Sequence, residues 1–213
     1  MAKRTYEEEI ERIKELSRIE DSLRAKGYKL IAGVDEAGRG PLAGPVFAAA
    51  VILPEGCIIE GIDDSKKLSE KKREQLFDEI CEKAIAYSIQ SIDEKTIDKV
   101  NILNAVFLAM NNAVDNLSPS PDYVIVDGNI IKGMTLPHET VIKGDANSIS
   151  IAAASILAKV SRDRLIKELS DKYPEYNLAK HKGYGTKEHI EAIKKYGPSE
   201  IHRLSFLTKI LNK

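Results

Sequence analysis

Cysteine is scarce in this chain of 213 residues, and no apolar run in it is long. Cys57 and Cys81 lie far apart and without partners at ligand spacing, which excludes a zinc knuckle or a disulfide scaffold and predicts two packing residues in a reducing cytosol. No apolar stretch approaches the roughly 20 residues of a membrane span, and the N-terminal residues are charged where a secretory signal would be apolar. These absences predict a cytoplasmic protein that does not associate with membranes.

The chain also lacks net charge and several catalytic motifs. Its 32 basic and 33 acidic residues leave a formal charge of -1, so any nucleic-acid binding must come from a local face. Residues 159–213 could supply such a face, because they hold 13 lysines and arginines against 7 acidic residues. No nucleophile elbow, Walker loop or pair of reactive cysteines is present, which leaves covalent catalysis and nucleotide-triphosphate chemistry with little support.

An acidic pair follows the apolar run of residues 30–34, which is typical of a buried strand. Asp35 and Glu36 would repel each other and lose hydration at the rim of a core, and a divalent metal ion removes that cost. The triplet Gly-Arg-Gly at residues 38–40 lets backbone N–H groups approach phosphate oxygens beside a guanidinium. A tight turn with an acidic surface patch is the alternative. The three features together favour a nucleic-acid backbone bound with its metal ions.

A third carboxylate follows the same pattern. Residues 123–126 form a second apolar strand, and Asp127 stands at its carboxyl end, before a glycine. Because parallel sheets place ligands at the carboxyl ends of their strands, Asp127 is a candidate metal ligand beside Asp35 and Glu36. Without the first motif, an Asp-Gly pair after a strand would be typical of a turn.

The chain resembles the type 2 ribonucleases H, and specifically bacterial ribonuclease HII, in the motif GVDEAGRGPLAGP at residues 33–45. The resemblance covers nearly the whole chain after about residue 28 and continues through DSKKL (64–68), VDGN (126–129), KGD (143–145), AASILAKVSRD (153–163) and HKGYGT (181–186). It implies an α/β protein of the ribonuclease H-like fold, with a central mixed β-sheet flanked by helices and a helical C-terminal part. Residues 1–27 are expected to form an amphipathic helix appended to the domain, and residues 28–213 a single catalytic domain.

The resemblance also implies roles for particular residues. Asp145, which its own position leaves open as a helix cap, becomes a fourth carboxylate, and Asp163 is the alternative whose basic neighbours suit a surface ion network better. Two Mg²⁺ or Mn²⁺ ions are then expected at the catalytic and metal-binding residues Asp35, Glu36, Asp127 and Asp145. Substrate binding is expected at Gly38, Arg39, Gly40, Lys66 and Tyr184.

The activity that the resemblance implies is cleavage of the RNA strand in RNA-DNA hybrids, including cleavage 5′ of a single ribonucleotide embedded in duplex DNA, with a 3′-hydroxyl and a 5′-phosphate as products. Tyr184 stands between two glycines, so its ring and hydroxyl have room to contact a ribose and its 2′-OH. A monomer is expected. Two alternatives are a noncatalytic hybrid-binding module and a metal-dependent exonuclease, for which an Asp-x-Glu pattern would be more typical.

The remaining pattern predicts the supporting elements. Residues 6–26 are expected to form one amphipathic helix with a solvated charged face and no chemistry, and residues 93–117 a second long helix. Residues 46–53 are expected to pair with the first strand as a hairpin. A helix beginning at Ser148 or Ser150 is expected to run to about residue 169, with Asp145 in a loop before it. The four histidines show no nucleophile or metal spacing, which predicts structural or surface roles.

Overall fold

A mixed five-stranded sheet runs through the computed structural model, which describes residues 5–211. The strand order is β3-β2-β1-β4-β5, in which β1 pairs antiparallel with β2 and parallel with β4. The strands β2 and β3 are antiparallel, and β4 and β5 are parallel. The predicted mixed sheet and the hairpin after the first motif are confirmed. The strands are β1 (Ile31–Ala37), β2 (Val46–Ile52), β3 (Ala86–Ile92), β4 (Tyr123–Asp127) and β5 (His138–Val141).

Helices cover both faces of this sheet and form the C-terminal part. Across residues 5–211 none of them is long and apolar enough to cross a membrane. A 3-10 turn spans Pro174–Tyr176. The α-helices are α1 (Tyr6–Leu16), α2 (Arg18–Ala25), α3 (Glu70–Lys83), α4 (Glu94–Val100), α5 (Ile102–Asp115), α6 (Gly144–Asn147), α7 (Ile149–Lys172), α8 (Leu178–His181), α9 (Lys187–Tyr196) and α10 (Leu204–Leu211).

Two predicted helices are each divided in two. The helix expected at 6–26 is interrupted at Ser17, whose hydroxyl donates a 2.9 Å hydrogen bond to the carbonyl of Ile13. The helix expected at 93–117 is interrupted at Asn101, which has φ +67° and accepts a hydrogen bond from the N–H of Asn104. The side chain of Asn101 satisfies a backbone N–H that a continuous helix would otherwise satisfy itself, whereas the carbonyl of Ile13 also accepts a hydrogen bond from the backbone N–H of Ser17.

Side chains of β1 alternate between two cores. Ala32 and Val34 pack in the cluster that contains Met110 of α5, whereas Ile31 packs with Ile151 of α7 on the other face. Because successive residues of a strand point to opposite faces, Asp35 falls on the α7 face together with Gly33.

Helix α7 lies against β1 at Gly33. A Cβ atom added there would lie 2.2 Å from the carbonyl carbon of Ser150 and 2.4 Å from the nitrogen of Ile151, so glycine is required by the close approach of two backbones. Ser148 caps the helix through a 3.1 Å hydrogen bond from the N–H of Ile151. This contact places the start of α7 beside Gly33, which precedes Asp35 by two residues on β1.

The N-terminal helices join the same core. Ile13 and Leu16 pack in the cluster formed by α7 and the sheet. Glu20 of α2 is buried, and its Oε1 accepts hydrogen bonds from Ser148 Oγ at 2.6 Å and from the N–H of Ser150 at 3.0 Å. The charges of this segment were expected to be solvated, and for Glu20 that expectation is wrong, because a carboxylate at the N-terminus of α7 is stabilised by the free N–H groups there.

Candidate active site

Three carboxylates meet where β1 and β4 end. Asp35 and Glu36 are near the carboxyl end of β1, and Asp127 is the last residue of β4, the parallel neighbour of β1. One oxygen of each carboxylate lies within 4.8 Å of the others. Asp35 is 5% exposed, and the other two residues are half-buried. The parallel pairing therefore brings together the three acidic residues that the strand-end pattern singled out.

This cluster is electrostatically strained in the absence of a cation. Burial raises the pKa of Asp35 well above its ordinary value, and the charges of Glu36 and Asp127 raise it further. A hydrogen bond from Ser155 and one of 2.7 Å from the N–H of Glu36 act in the opposite direction. Burial also raises the pKa of Glu36, although Arg39 partly offsets this from an ion pair at 3.2 Å. An all-oxygen donor set with excess negative charge suits a hard divalent cation such as Mg²⁺ or Mn²⁺.

Asp145 stands next to this cluster. It lies in the short helix α6, so its expected position in a loop is wrong, and it is outside the group of three close carboxylates. The N–H of Gly144 donates a 2.6 Å hydrogen bond to Asp127 Oδ1, which ties α6 to the end of β4. Burial raises the pKa of Asp145, and the charges of Asp64 and Asp127 raise it further.

Asp64 and Lys66 complete this side of the site. Lys66 Nζ lies 3.7 Å from Asp145 Oδ2, and its side chain is 80% exposed, so the ammonium stands at the rim of the acidic cluster. The charge of Asp64 raises the pKa of Asp145, and the strand-end pattern did not predict Asp64 because this residue lies in a loop. The available signal was a second acidic residue directly before Ser65-Lys66 in the same loop.

Asp163, the alternative to Asp145, lies elsewhere in an ion network. Its Oδ1 is 2.7 Å from Lys159 Nζ and its Oδ2 is 3.7 Å from Arg73 Nη2. The expected ion network is therefore present, but it is buried rather than on the surface, since Asp163 is 7% exposed. Two cations already compensate its charge.

The Gly-Arg-Gly triplet faces Tyr184 across a cleft of about 280 Å³. A Cβ atom added at Gly40 would lie 3.4 Å from the Tyr184 ring, which is half exposed. The N–H of Leu42 donates a 2.8 Å hydrogen bond to the carbonyl of Gly183 and so joins the two loops. The cleft is lined by Glu36, Ala37, Gly38, Arg39, Gly40, Ser65, Lys66, Ser155, Lys159, Arg162 and Tyr184. All five predicted substrate-binding residues therefore line one cavity that also contains Glu36.

A pair of buried histidines supports the backbone of Tyr184. His202 Nδ1 accepts a 3.0 Å hydrogen bond from the N–H of Ser199, so the proton of the neutral ring is on Nε2. This Nε2 donates to His189 Nε2 at 3.2 Å, and His189 Nδ1 then donates to the carbonyl of Tyr184 at 3.0 Å. Their expected structural role is thus borne out, and both rings must be neutral for the chain of hydrogen bonds to hold.

The histidine pair predicts loss of stability in acid. Burial, followed by the neighbouring His189, lowers the pKa of His202 from 6.5 to about 4, so between these values the unfolded state binds more protons than the folded state. Stability should be full above pH 6.5 and fall as the pH drops through this window, with His202 contributing a loss of about 2 kcal/mol by pH 5. Urea denaturation at pH 7 and pH 5 measures this difference in the free energy of unfolding. His202→Asn should flatten the difference, and an unchanged difference in that variant would contradict the assignment.

Comparison with known proteins agrees with this geometry. A family model described as Ribonuclease HII matches residues 32–209. The chain is 62% identical to the ribonuclease HII of Caldicellulosiruptor bescii over 91% of this chain and 94% of the relative, and 58% identical to that of Acetivibrio thermocellus over 94% and 78%. The crystal structure of ribonuclease H2 from Pyrococcus horikoshii superimposes with a TM-score of 0.71 at 30% identity, covering 85% of this chain and 97% of that one. The chain therefore belongs to the ribonuclease HII family and is an endoribonuclease that acts on RNA-DNA hybrids.

Proposed function

We propose that Asp35, Glu36, Asp127 and Asp145 hold two Mg²⁺ or Mn²⁺ ions with which the protein hydrolyses a phosphodiester on the 5′ side of a ribonucleotide. The observation that carries the proposal is the convergence of the first three carboxylates within 4.8 Å at the ends of two parallel strands. Buried anions at this spacing repel one another, and the described cations nearest them, Arg39 and Lys66, are largely exposed. The site is therefore built to gain stability from bound divalent ions.

The proposed chemistry divides between the ions and the chain. Two bound ions supply an activated water and neutralise the leaving oxygen. Asp35 is held for this task by the N–H of Glu36 and by Ser155, and Asp127 is held by the N–H of Gly144. Lys66, exposed at the rim, contacts a substrate phosphate. Cleavage leaves a 3′-hydroxyl and a 5′-phosphate.

We assign selection of the ribonucleotide to the loop of the Gly-Arg-Gly triplet and the loop of Tyr184, which the hydrogen bond from Leu42 to Gly183 joins. Backbone N–H groups of the Gly-Arg-Gly triplet bind the phosphate and sugar, while the ring of Tyr184 lies against the ribose and its hydroxyl meets the 2′-OH. The Tyr184 side chain is half exposed beside Gly40 and free to make both contacts. A deoxyribose at the same position lacks the 2′-OH and loses that hydrogen bond.

The experiment that tests this function uses a DNA duplex with one embedded ribonucleotide and with both ends blocked. The expected product in Mg²⁺ or Mn²⁺ is a single nick 5′ of the ribonucleotide, whose 3′-hydroxyl a DNA polymerase can extend. An all-DNA duplex of the same sequence is the control and should stay intact. An exonuclease would leave the blocked substrate whole, and a hybrid-binding module would shift its mobility without cutting it.

Replacing Tyr184 with alanine should reduce cleavage at the lone ribonucleotide. The loss should be about 10- to 100-fold in kcat/KM, which is the value of one hydrogen bond and one ring contact. Cleavage of a long RNA-DNA hybrid should fall less, because the protein can bind such a hybrid at any of many successive ribonucleotides. Tyr184→Phe is the matched variant, because it keeps the ring and isolates the hydroxyl. Rates equal to the parent's for both variants would remove Tyr184 from the recognition of the ribose.

We also infer that residues 28–213 act as a single catalytic domain, with the N-terminal helices packed on it, in a cytoplasmic monomer. Support for the single domain comes from the family match over residues 32–209 and from the packing of Ile13 and Leu16 in the core formed by α7 and the sheet. Light scattering during size-exclusion chromatography measures the oligomeric state.

A further inference from the structure

Two buried arginines lie beneath the loop that contains the Gly-Arg-Gly triplet. Arg162 of α7 is 1% exposed, and Arg203, just before α10, is 0% exposed. Within residues 5–211 no carboxylate lies at ion-pair distance from either guanidinium, and every hydrogen bond that the two groups donate goes to a main-chain carbonyl. Burying two cations without anionic partners is costly, so this arrangement demands a reason.

The carbonyls that they bind belong almost entirely to one loop, residues 38–45. Arg203 donates through Nη2 to Gly38 at 2.7 Å, through Nη1 to Arg39 at 3.0 Å and Pro41 at 2.9 Å, and through Nε to Gly44 at 2.9 Å. Arg162 donates through Nη2 to Ala43 at 3.1 Å and through Nε to Pro45 at 3.3 Å. Its third bond, from Nη1 to Lys182 at 3.1 Å, reaches the loop of Tyr184.

These bonds decide which way the peptide groups of the loop face. In a trans peptide the C=O of one residue and the N–H of the next point in opposite directions. Because Arg203 binds the carbonyls of Gly38 and Arg39 from inside the protein, the N–H groups of Arg39 and Gly40 face away from it. The peptide group between Pro41 and Leu42 is oriented in the same way. The carbonyl of Pro41 accepts a hydrogen bond from Arg203, and the N–H of Leu42 donates to the carbonyl of Gly183 on the opposite side.

The fit between loop and guanidinium is close. Gly38 has φ +101°, and a Cβ atom added there would lie 2.2 Å from Arg162 Nε. The loop therefore packs directly on the buried cation. A lysine cannot replace this arrangement, because an ammonium is a single donor atom, whereas a planar guanidinium presents five N–H groups in a rigid fork.

We propose that Arg203 and Arg162 are positioning residues for substrate recognition. They hold the carbonyls of residues 38–45 inward so that the N–H groups of Arg39 and Gly40 are presented to a substrate phosphate, and Arg162 holds the Tyr184 loop in register with them. Their two charges, which no carboxylate of residues 5–211 pairs at ion-pair distance, add a positive potential beneath that phosphate. This inference rests on the proposed function of the two loops.

The test separates substrate binding from metal binding in Arg203→Lys, which keeps the charge and loses the fork. Calorimetric Mn²⁺ affinity should match the parent's, because the carboxylates at the strand ends are held by other groups. The KM for a duplex with one ribonucleotide should rise at least about tenfold, since a displacement of about 1 Å in a positioned group can cost about a hundredfold. Arg164→Lys is the control, because Arg164 is exposed, pairs with Glu74 and stacks on Phe77 away from the cleft.

Two outcomes would overturn the proposal. One is a folded Arg203→Lys protein with the parent's KM, and the other is a rise in KM that is matched by an equal loss of Mn²⁺ affinity. If Arg203→Lys does not fold, the Mn²⁺ affinity and the KM of Arg162→Lys test the proposal instead. The ratio of its activity on a lone ribonucleotide to its activity on a long hybrid is a third measurement. Tyr184→Ala tests the recognition of the ribose itself, so an unchanged kcat/KM in that variant points to failure of the proposed function, not of the positioning.

Discussion

Replacing Asp35 with asparagine should lower cleavage by at least about a thousandfold, or about 4 kcal/mol of transition-state stabilisation, while raising the Tm of the metal-free protein. Activity falls because asparagine keeps the shape of the side chain but lacks the negative charge that holds a divalent ion. Stability rises because the folded protein holds the pKa of Asp35 well above its ordinary value, through burial and then through Glu36 and Asp127. Removing that charge relieves the repulsion, and the folded metal-free variant is therefore stabilised relative to the parent.

The measurement pairs a single-turnover nicking assay with thermal unfolding in EDTA and in excess Mn²⁺. The parent's Tm should rise with Mn²⁺, because a ligand that binds the folded state stabilises it, and the variant's Tm should rise less. Asp163→Asn is the matched control, because the same chemical change at a buried carboxylate paired with Lys159 and Arg73 should lower stability. A metal-free Asp35→Asn protein that unfolds at a lower temperature than the parent would contradict the electrostatic argument.

The opposite signs expected for these two aspartates show what sequence could and could not predict. Asp35 and Asp127 follow apolar runs at strand ends, and the parallel pairing of β1 and β4 then brings them together, so local pattern was enough. The ribonuclease H-like fold was predicted from the family resemblance, and the start of α7 was predicted at Ser148 or Ser150, of which Ser148 is the N-cap. Asp163 stands among basic neighbours in a helix, where sequence indicates pairing but not burial.

Charged residues buried by distant partners could not be predicted. Arg162 and Arg203 were counted toward a basic binding face in residues 159–213, but both are buried, and their carbonyl partners lie more than 100 residues earlier in the chain, apart from Lys182. Glu20 likewise appeared to belong to the solvated face of a helix, yet it binds Ser148. The periodicity of a helix indicates which of its faces is polar. Only the tertiary structure shows which polar side chains are buried against partners from distant parts of the chain.

The two helix breaks, at Ser17 and Asn101, were not predicted for a related reason. The apolar spacing of residues 6–26 continues across Ser17, so periodicity alone predicts one helix, whereas Ser17 has φ −92° and ψ 0°, outside the α-helical conformation. At Asn101 the backbone has φ +67° and ψ 164°, a conformation that non-glycine residues rarely adopt, and the same side chain caps the next helix. Each break is a change in the backbone of one residue, which does not alter an apolar pattern averaged over several turns.

Replacing Gly33 with alanine should destabilise the protein by more than about 3 kcal/mol, because overpacking against a rigid backbone cannot be relieved by a change of rotamer. The added Cβ would lie 2.2 Å and 2.4 Å from main-chain atoms of Ser150 and Ile151, so α7 must move away from β1. Urea denaturation in EDTA measures the loss. Gly27→Ala is the control, because its Cβ would meet nothing within 4 Å and only the φ of +101° is strained, at about 1–2 kcal/mol.

The same variant should also weaken the metal site. Ser155, which hydrogen-bonds Asp35, lies on α7 little more than one turn beyond Ser150, so a helix displaced at Gly33 carries Ser155 away from the carboxylate. Mn²⁺ affinity should therefore fall in Gly33→Ala and stay unchanged in Gly27→Ala. Adding Ser150→Gly to Gly33→Ala removes one side-chain contact and leaves the two main-chain contacts, so it should restore little stability. Full recovery in that double variant would mean that the Ser150 side chain, and not the helix backbone, requires glycine at position 33.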